Sequence, residues 1–486
     1  MSKTPSPIVS FVPIIAMVAM LYVAVSSFGS DALSGPSQVV LLVASALTVA
    51  IGMAVYKIEW ARFENAIVDN IKGIASATII LLIIGALSGA WMLSGVVPTL
   101  IDYGMAVINP RFFLATACII CILVSVMTGS SWTTIATIGI ALMGIGQAQG
   151  YSDGWIAGAI ISGAYFGDKI SPLSDTTVLA ASVSHTPLFD HIRYMLYTTI
   201  PSIVITLIIF VVAGITGDVA ESSQIDRISA VLNARFNITP WLLIVPIVTG
   251  VLIARRVPTL ITLFASTVMA VIAAVVAQPD ILASLGHGDR PVFEGAMKML
   301  TTETSISSGN ALVDDLISTR GMAGMLNTVW LILCAMCFGG TMTASGMLRS
   351  ITAMFARMMK STFSLVSSTV CSGLFLNLTT ADQYISIILT GNMFRNIYER
   401  EGYESRLLSR TTEDSVTVTS VLVPWNSCGM TQSTVLGVPT LTYLPYCFFN
   451  YLSPIMSMIV AAFSYKIYRK ATGKQSFANQ TELIIN

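Results

Sequence analysis

The chain has 486 residues, 54% of them hydrophobic and only 10% charged, with a mean hydropathy of +0.78. Soluble domains carry about 25% charged residues, so this composition excludes an ordinary soluble domain and describes an all-α polytopic membrane protein. The formal net charge is zero, which argues against a nucleic-acid partner.

A spanning helix needs about 20 apolar residues. In chain order, apolar runs cover 8–28, 38–56, 75–94, 112–127 with 131–147, 155–166 with 176–186, 193–215, 238–254, 258–278, 322–345, 362–376 with 382–396, 411–422 with 427–438, and 440–467. That makes about 11–12 membrane segments. The first run is too long for a typical signal sequence and lacks a clear small-residue cleavage site, so it is read as a retained helix. Four runs are broken by polar or Gly/Pro residues. The breaks are Thr128-Gly129-Ser130-Ser131, the stretch Gly167 to Thr177, Asn377-Leu378-Thr379-Thr380-Ala381-Asp382, and Pro424-Trp425-Asn426-Ser427-Cys428-Gly429. Irregular backbone at bilayer depth is tolerated only where protein or a water-filled cavity satisfies it. Two breaks fall in each half of the chain, and such paired interruptions point to a transporter's binding site.

The halves also match in order. Phe63-Glu64-Asn65-Ala66 resembles Phe293-Glu294-Gly295-Ala296, and Leu93-Ser94-Gly95 resembles Ala344-Ser345-Gly346. Trp132 to Ile135 can be laid on Leu378 to Ala381, Gly150-Tyr151 on Gly402-Tyr403, and Pro172 to Asp175 on Pro424 to Ser427. These matches predict an internal repeat. Positive charge follows alternate runs: Lys57, Arg62 and Lys72; Arg255 and Arg256; Arg349, Arg357 and Lys360; Lys466, Arg469, Lys470 and Lys474. The positive-inside rule then places the N-terminus in the cytoplasm and the 216–237 linker outside. Residues 1–215 form a first membrane repeat, 238–467 a second with inverted topology, and 468–486 a cytoplasmic tail. Segments 57–72 and 290–303 read as amphipathic surface pieces.

The breaks carry the chemistry. An ionisable group at bilayer depth costs at least a few kcal/mol and persists there mainly for function. Asp168 and Asp175, with Ser171, Ser174, Thr176 and Thr177, make an oxygen-rich set of the kind a hard cation prefers. Asp175, Ser174 and Thr176 are the expected sodium ligands, while Asp168 beside Lys169 is read as partly structural. The second half supplies Asn377, Thr380 and Asp382, the adjacent acids Glu413 and Asp414, and the neutral oxygens of Asn426 and Ser427. Asp382 suits a helix N-terminus electrostatically, and Arg406 and Arg410 lie close enough in sequence to pair with Glu413-Asp414. Two neighbouring buried acids cannot both ionise cheaply, so one of them can carry a proton. Ser130 and Ser131 suit the tip of a re-entrant hairpin. His185, His191 and His287 sit at run ends or in loops and are expected at the surface. The seven cysteines, including the pairs Cys118/Cys121 and Cys334/Cys337, read as small core residues rather than metal ligands. No HExxH, Walker A or GxSxG pattern supports an enzyme.

Ser162-Gly163-Ala164-Tyr165-Phe166-Gly167-Asp168-Lys169, followed by Ser171-Pro172-Leu173-Ser174-Asp175-Thr176-Thr177, resembles the signature of the NhaC family of sodium/proton antiporters. Thr417-Val418-Thr419-Ser420 with Val423-Pro424-Trp425-Asn426 and Cys428-Gly429 resembles a second motif of that family, and Gly129-Ser130-Ser131-Trp132 with Thr137-Ile138-Gly139 a third. The likeness runs from about residue 60 to 465. It implies two inverted repeats, each with a re-entrant hairpin and a broken helix around one ion site, often in a homodimer, in the bacterial inner membrane. It implies transported sodium and protons and no cofactor. The family also includes exchangers of sodium-lactate against protons and malate, and Val178 stands where an Asn is expected after Thr-Thr. No Arg or Lys cluster at the breaks offers a carboxylate clamp, so sodium/proton antiport is preferred to organic-anion exchange, and either to an ion channel.

Overall fold

The computed structural model describes residues 5–28, 34–217, 222–255, 257–306, 314, 317–356 and 361–469. Arg256, Arg357, Lys360, Lys470 and Lys474, residues 218–221 of the linker and 470–486 of the tail lie outside the described residues.

The described residues are helical, joined by short turns, with isolated bridges at Thr304–Thr319 and Tyr403–Arg469. The first half runs α1 (Pro7–Phe28), α2 (Pro36–Tyr56), α3 (Trp60–Leu93), α4 (Val96–Val107), α5 (Phe113–Thr128), α6 (Ser131–Thr134), α7 (Ile140–Ala148), α8 (Asp153–Ile170), α9 (Asp175–Val183) and α10 (Leu188–Thr216). After α11 (Ser222–Arg235), the second half runs α12 (Ile244–Ala254), α13 (Thr259–Ala277), α14 (Pro279–Leu285), α15 (Pro291–Thr301), α16 (Leu326–Ser345), α17 (Met347–Ala356), α18 (Thr362–Thr380), α19 (Gln383–Arg400), α20 (Ser405–Thr412), α21 (Ser427–Leu436), α22 (Thr440–Tyr443) and α23 (Phe448–Ala462). Among the described residues, 8 helices are long and apolar enough to cross a membrane, or up to 10 if two bent pairs each count as one span. The pieces of the interrupted segments are individually too short or too polar to count among these spans.

Segment 57–72 leads into a longer helix than the apolar run 75–94 suggests, because α3 is one continuous helix of 34 residues. Nothing between Trp60 and Leu93 breaks the hydrogen-bond ladder, as there is no proline there. The linker holds a helix, α11, which docks on α4: Ser229 Oγ and Asn233 Nδ2 donate to Asp102 Oδ1 at 2.5 and 3.2 Å.

Backbone conformation repeats between the halves. Gly95 and Gly346, Gly129 and Ala381, and Gly150 and Gly402 all take the left-handed conformation. Side-chain bonds repeat with it. Ser94 donates to Trp91 O and accepts from Val96 N, while Ser345 donates to Met342 O and accepts from Met347 N. This fixes a register that corrects the one read from Trp132 to Ile135: Thr128 corresponds to Thr380 and Ser130 to Asp382. Each threonine hydroxyl donates to the carbonyl of the second residue on and accepts its N–H.

The helix α8 lies at the centre because it is narrow. A Cβ on Gly163 would come within 2.2 Å of Cys118 O, and one on Gly167 within 2.5 Å of Ile122 O. Small residues at four-residue spacing let two backbones approach closely, as in membrane helix pairs. Ser125 Oγ donates to Ala164 O at 2.6 Å across the same seam.

Candidate ion-binding site

Proline makes both breaks. Pro172 disfavours helix at the residue before it, so Ser171 is extended (φ −77°, ψ 129°) and α8 stops at Ile170. The chain restarts at Ser174, whose Oγ accepts from Thr177 N at 3.4 Å, with Asp175 in the first turn of α9. Pro424 acts in the same way: Val423 is extended, and Asn426 caps α21 by accepting from Cys428 N at 3.1 Å. The unwound part is therefore shorter than the stretch 167–177. Asp168 belongs to the last turn of α8.

Each hairpin tip leans on the break of its own half. The left-handed turn at Gly129 (φ 64°) lets Ser130 cap α6, its Oγ accepting from Thr133 N at 3.2 Å. A Cβ on Gly129 would come within 2.6 Å of the Leu173 carbonyl carbon. Ser131 then donates twice to Asp168 Oδ2, from its N–H at 3.0 Å and from its Oγ at 2.7 Å. Oδ1 of Asp168 accepts no hydrogen bond among the described residues. Ser171 Oγ donates to Val126 O at 2.8 Å and Thr177 Oγ1 to Lys169 O at 3.0 Å, while Ser174 and Thr176 share a hydroxyl bond at 3.0 Å.

In the second half, Asp382 caps α19, accepting from Ile385 N at 3.0 Å, and Ser427 Oγ donates to its Oδ2 at 3.1 Å. Ser427 N donates to Ala381 O, and Asn426 Nδ2 to Asn377 O. Asn377 Nδ2 donates to Val416 O at 2.7 Å and to Thr419 Oγ1 at 3.1 Å. Thr380 Oγ1 bonds Ser386 Oγ at 2.8 Å.

The two acids of the first break part company. Asp168 is buried (5% exposed), whereas Asp175 is exposed and accepts from the Tyr384 hydroxyl at 2.8 Å. Asp175 is therefore not gathered with Asp168 into one buried ligand set: it stands in the first turn of α9, beyond the extended Ser171. Lys169 does not pair with Asp168 either. Its ammonium is fully buried and donates to Asp414 Oδ1, across the boundary between the halves, and to Ser453 Oγ of α23 at 2.8 Å. Beyond α20 the helix widens into a π turn over Glu413–Thr417, a distortion common at functional sites. Both oxygens of Glu413 are buried and accept no hydrogen bond among the described residues. Lys169 and Asp168 of α8 and its own neighbour Asp414 lie close enough to act on the charge of Glu413.

This arrangement can do one thing readily. A buried carboxylate must be neutralised by a proton, a fixed cation or a bound cation. Lys169 serves Asp414. Asp168 and Glu413 have no fixed cation of their own, so each must take a proton or share a mobile ion.

The sequence of the whole chain agrees. A model of the family described as the Na+/H+ antiporter family matches residues 163–465. The chain belongs to that Na+/H+ antiporter family. It is 36% identical to a Na(+)/H(+) antiporter NhaC of Bacillus subtilis, over 87% of this chain and 90% of that one. It is 35% identical to a Malate-2H(+)/Na(+)-lactate antiporter of the same organism, over 87% and 88%. It is 34% identical to the Arginine/ornithine antiporter ArcD of Halobacterium salinarum, over 96% and 94%.

Several residues of this antiporter-family site escape sequence reasoning. Ser453 is one serine in an apolar helix and gives no local signal. His191 is not at the surface as expected: it is fully buried, with Nδ1 2.8 Å from Ser409 Oγ. Its place in the first turn of α10, at the end of an apolar run, mimics a loop position. Arg410 does not pair with Glu413 or Asp414. It is fully buried, with its guanidinium 4.5 Å from the centre of the Tyr194 ring.

Proposed function

We propose that the chain is a sodium/proton antiporter working by alternating access, in which sodium and a proton compete for Asp168. The observation that carries this reading is a buried carboxylate anchored through one oxygen to a hairpin tip, with its other oxygen free. Ser131, Ser171, Ser174, Thr176 and Thr177 supply neutral oxygens around the break, and Asp175 draws cations to its mouth. Asp382, Ser427, Asn426, Asn377 and Thr380 form the matching half-site, with Glu413 as a second proton carrier.

A carboxylate coordinates sodium only when ionised, so loading sodium expels the proton. One pH unit supplies about 1.4 kcal/mol per proton, and 100 mV about 2.3 kcal/mol per net charge moved. Those forces together export sodium against a gradient when more protons than sodium ions move. Residues 1–215 and 238–467 are taken as the inverted halves of one protomer, and the chain as a homodimer in a bacterial inner membrane, with the N-terminus in the cytoplasm. The lysines and arginines at 57, 62 and 72 support that orientation.

A relative named for malate and sodium-lactate exchange favours one second reading, a sodium-coupled organic-anion exchanger. Purified protein in liposomes separates the two. Sodium alone, added outside, is expected to collapse an imposed pH gradient. A collapse that needs malate or lactate on the opposite side would establish the second reading instead.

A further inference from the structure

Arg410 is unexplained by the site as described. Its side chain is fully buried, and Nε, Nη1 and Nη2 make no hydrogen bond among the described residues. The Tyr194 face beneath it is worth about 2 kcal/mol when desolvated. Burying an ion costs several kcal/mol, so the ring does not offset the burial. A guanidinium kept at that cost is waiting for an anion.

We propose that Arg410 is the second partner of Asp414, and that Asp414 passes between Lys169 and Arg410 during the transport cycle. This rests on the antiport reading above. Asp414 lies four residues beyond Arg410, the spacing at which helical side chains meet. One of its oxygens, Oδ1, is held by Lys169 and Ser453, while Oδ2 has no partner among the described residues. Arg410 stands in the last turn of α20, whereas Asp414 is the second residue of the π turn Glu413–Thr417. A π turn widens the helix where Asp414 stands, and the Asp414 carboxylate bonds Lys169 of α8 rather than Arg410. Closing that turn to an ordinary α-helix swings Asp414 toward Arg410.

The exchange has a consequence for the ion. Lys169 keeps its bond to Ser453 but loses its counter-charge, one residue from Asp168. An uncompensated cation there repels bound sodium and promotes its release. Arg410 is thus a positioning residue that acts through Asp414 and Lys169 rather than by touching the ion.

The test is sodium/proton exchange in proteoliposomes, with thermal unfolding in detergent. Arg410→Met is expected to lower the maximal rate about tenfold, a barrier rise of about 1.4 kcal/mol, with the sodium KM unchanged or lower. It is expected to unfold no earlier than wild type, because it removes an unpaired buried charge. Arg410→Lys is expected to restore most of the rate. In an Asp414→Asn background, Arg410→Met is expected to add no further loss, since the two act as one unit. A wild-type rate in Arg410→Met, early unfolding of that variant, or additive losses in the double variant would each overturn the proposal. Failure of the wild type to exchange sodium for protons would refute the antiport reading itself.

Discussion

Replacing Asp168 by Asn should abolish exchange while leaving a folded protein. The carboxamide keeps the shape and can still accept from Ser131 N and Oγ, but it carries no charge and releases no proton. Two unit charges 4 Å apart interact by about 4 kcal/mol at an effective dielectric of about 20. After desolvation, a loss of about 2–4 kcal/mol is expected, or about thirty- to a thousandfold in sodium affinity. Asp175→Asn is the informative contrast. That group is exposed and bonded to Tyr384, so its loss should weaken sodium binding only about two- to fivefold, the scale of a surface charge worth up to about 1 kcal/mol. Sodium-driven proton flux in liposomes, with size-exclusion profiles for folding, measures both. Normal flux in Asp168→Asn would move the ion site elsewhere.

The second large effect concerns stability. Lys169→Met should unfold the protein or lower its melting temperature sharply, because Asp414 then loses the cation that holds it in this conformation. Removing one partner of a buried ion pair costs about 3–5 kcal/mol, a large part of the 5–15 kcal/mol that holds a typical domain together. Lys169→Met with Asp414→Asn should recover most of the loss. Thermal unfolding of both variants checks this, and a single variant as stable as wild type would contradict it.

Much of the architecture is legible in the chain. Proline and glycine announce both broken helices and the first hairpin tip, since Pro172, Pro424 and Gly129 dictate backbone locally. Cap residues such as Ser174 and Asn426 follow the prolines at short range for the same reason. The register between the halves is less legible. Corresponding positions carry different chemistry, Ser130 against Asp382 and Gly129 against Ala381, so residue similarity drew the match more than a helical turn away. Which acid is buried was not legible either. Asp168 and Asp175 look alike in sequence, and only the extended Ser171 and the close seam of α8 on α5 separate them. The Lys169–Asp414 pair joins residues 245 positions apart, and pairing at that distance leaves no local pattern. Arg410 and His191 illustrate the same limit: buried polar side chains at the ends of apolar runs look like solvated flanks.

Competition of sodium and protons for one buried carboxylate is the core of this account, and equilibrium binding of radioactive sodium to the purified protein at several pH values tests it directly. Where Asp168 is protonated, the apparent dissociation constant should rise about tenfold for each unit of pH decrease, the slope of one proton displaced per ion bound. It should flatten at high pH, and the slope should vanish together with tight binding in Asp168→Asn. An affinity that does not change with pH in the wild-type protein would contradict it.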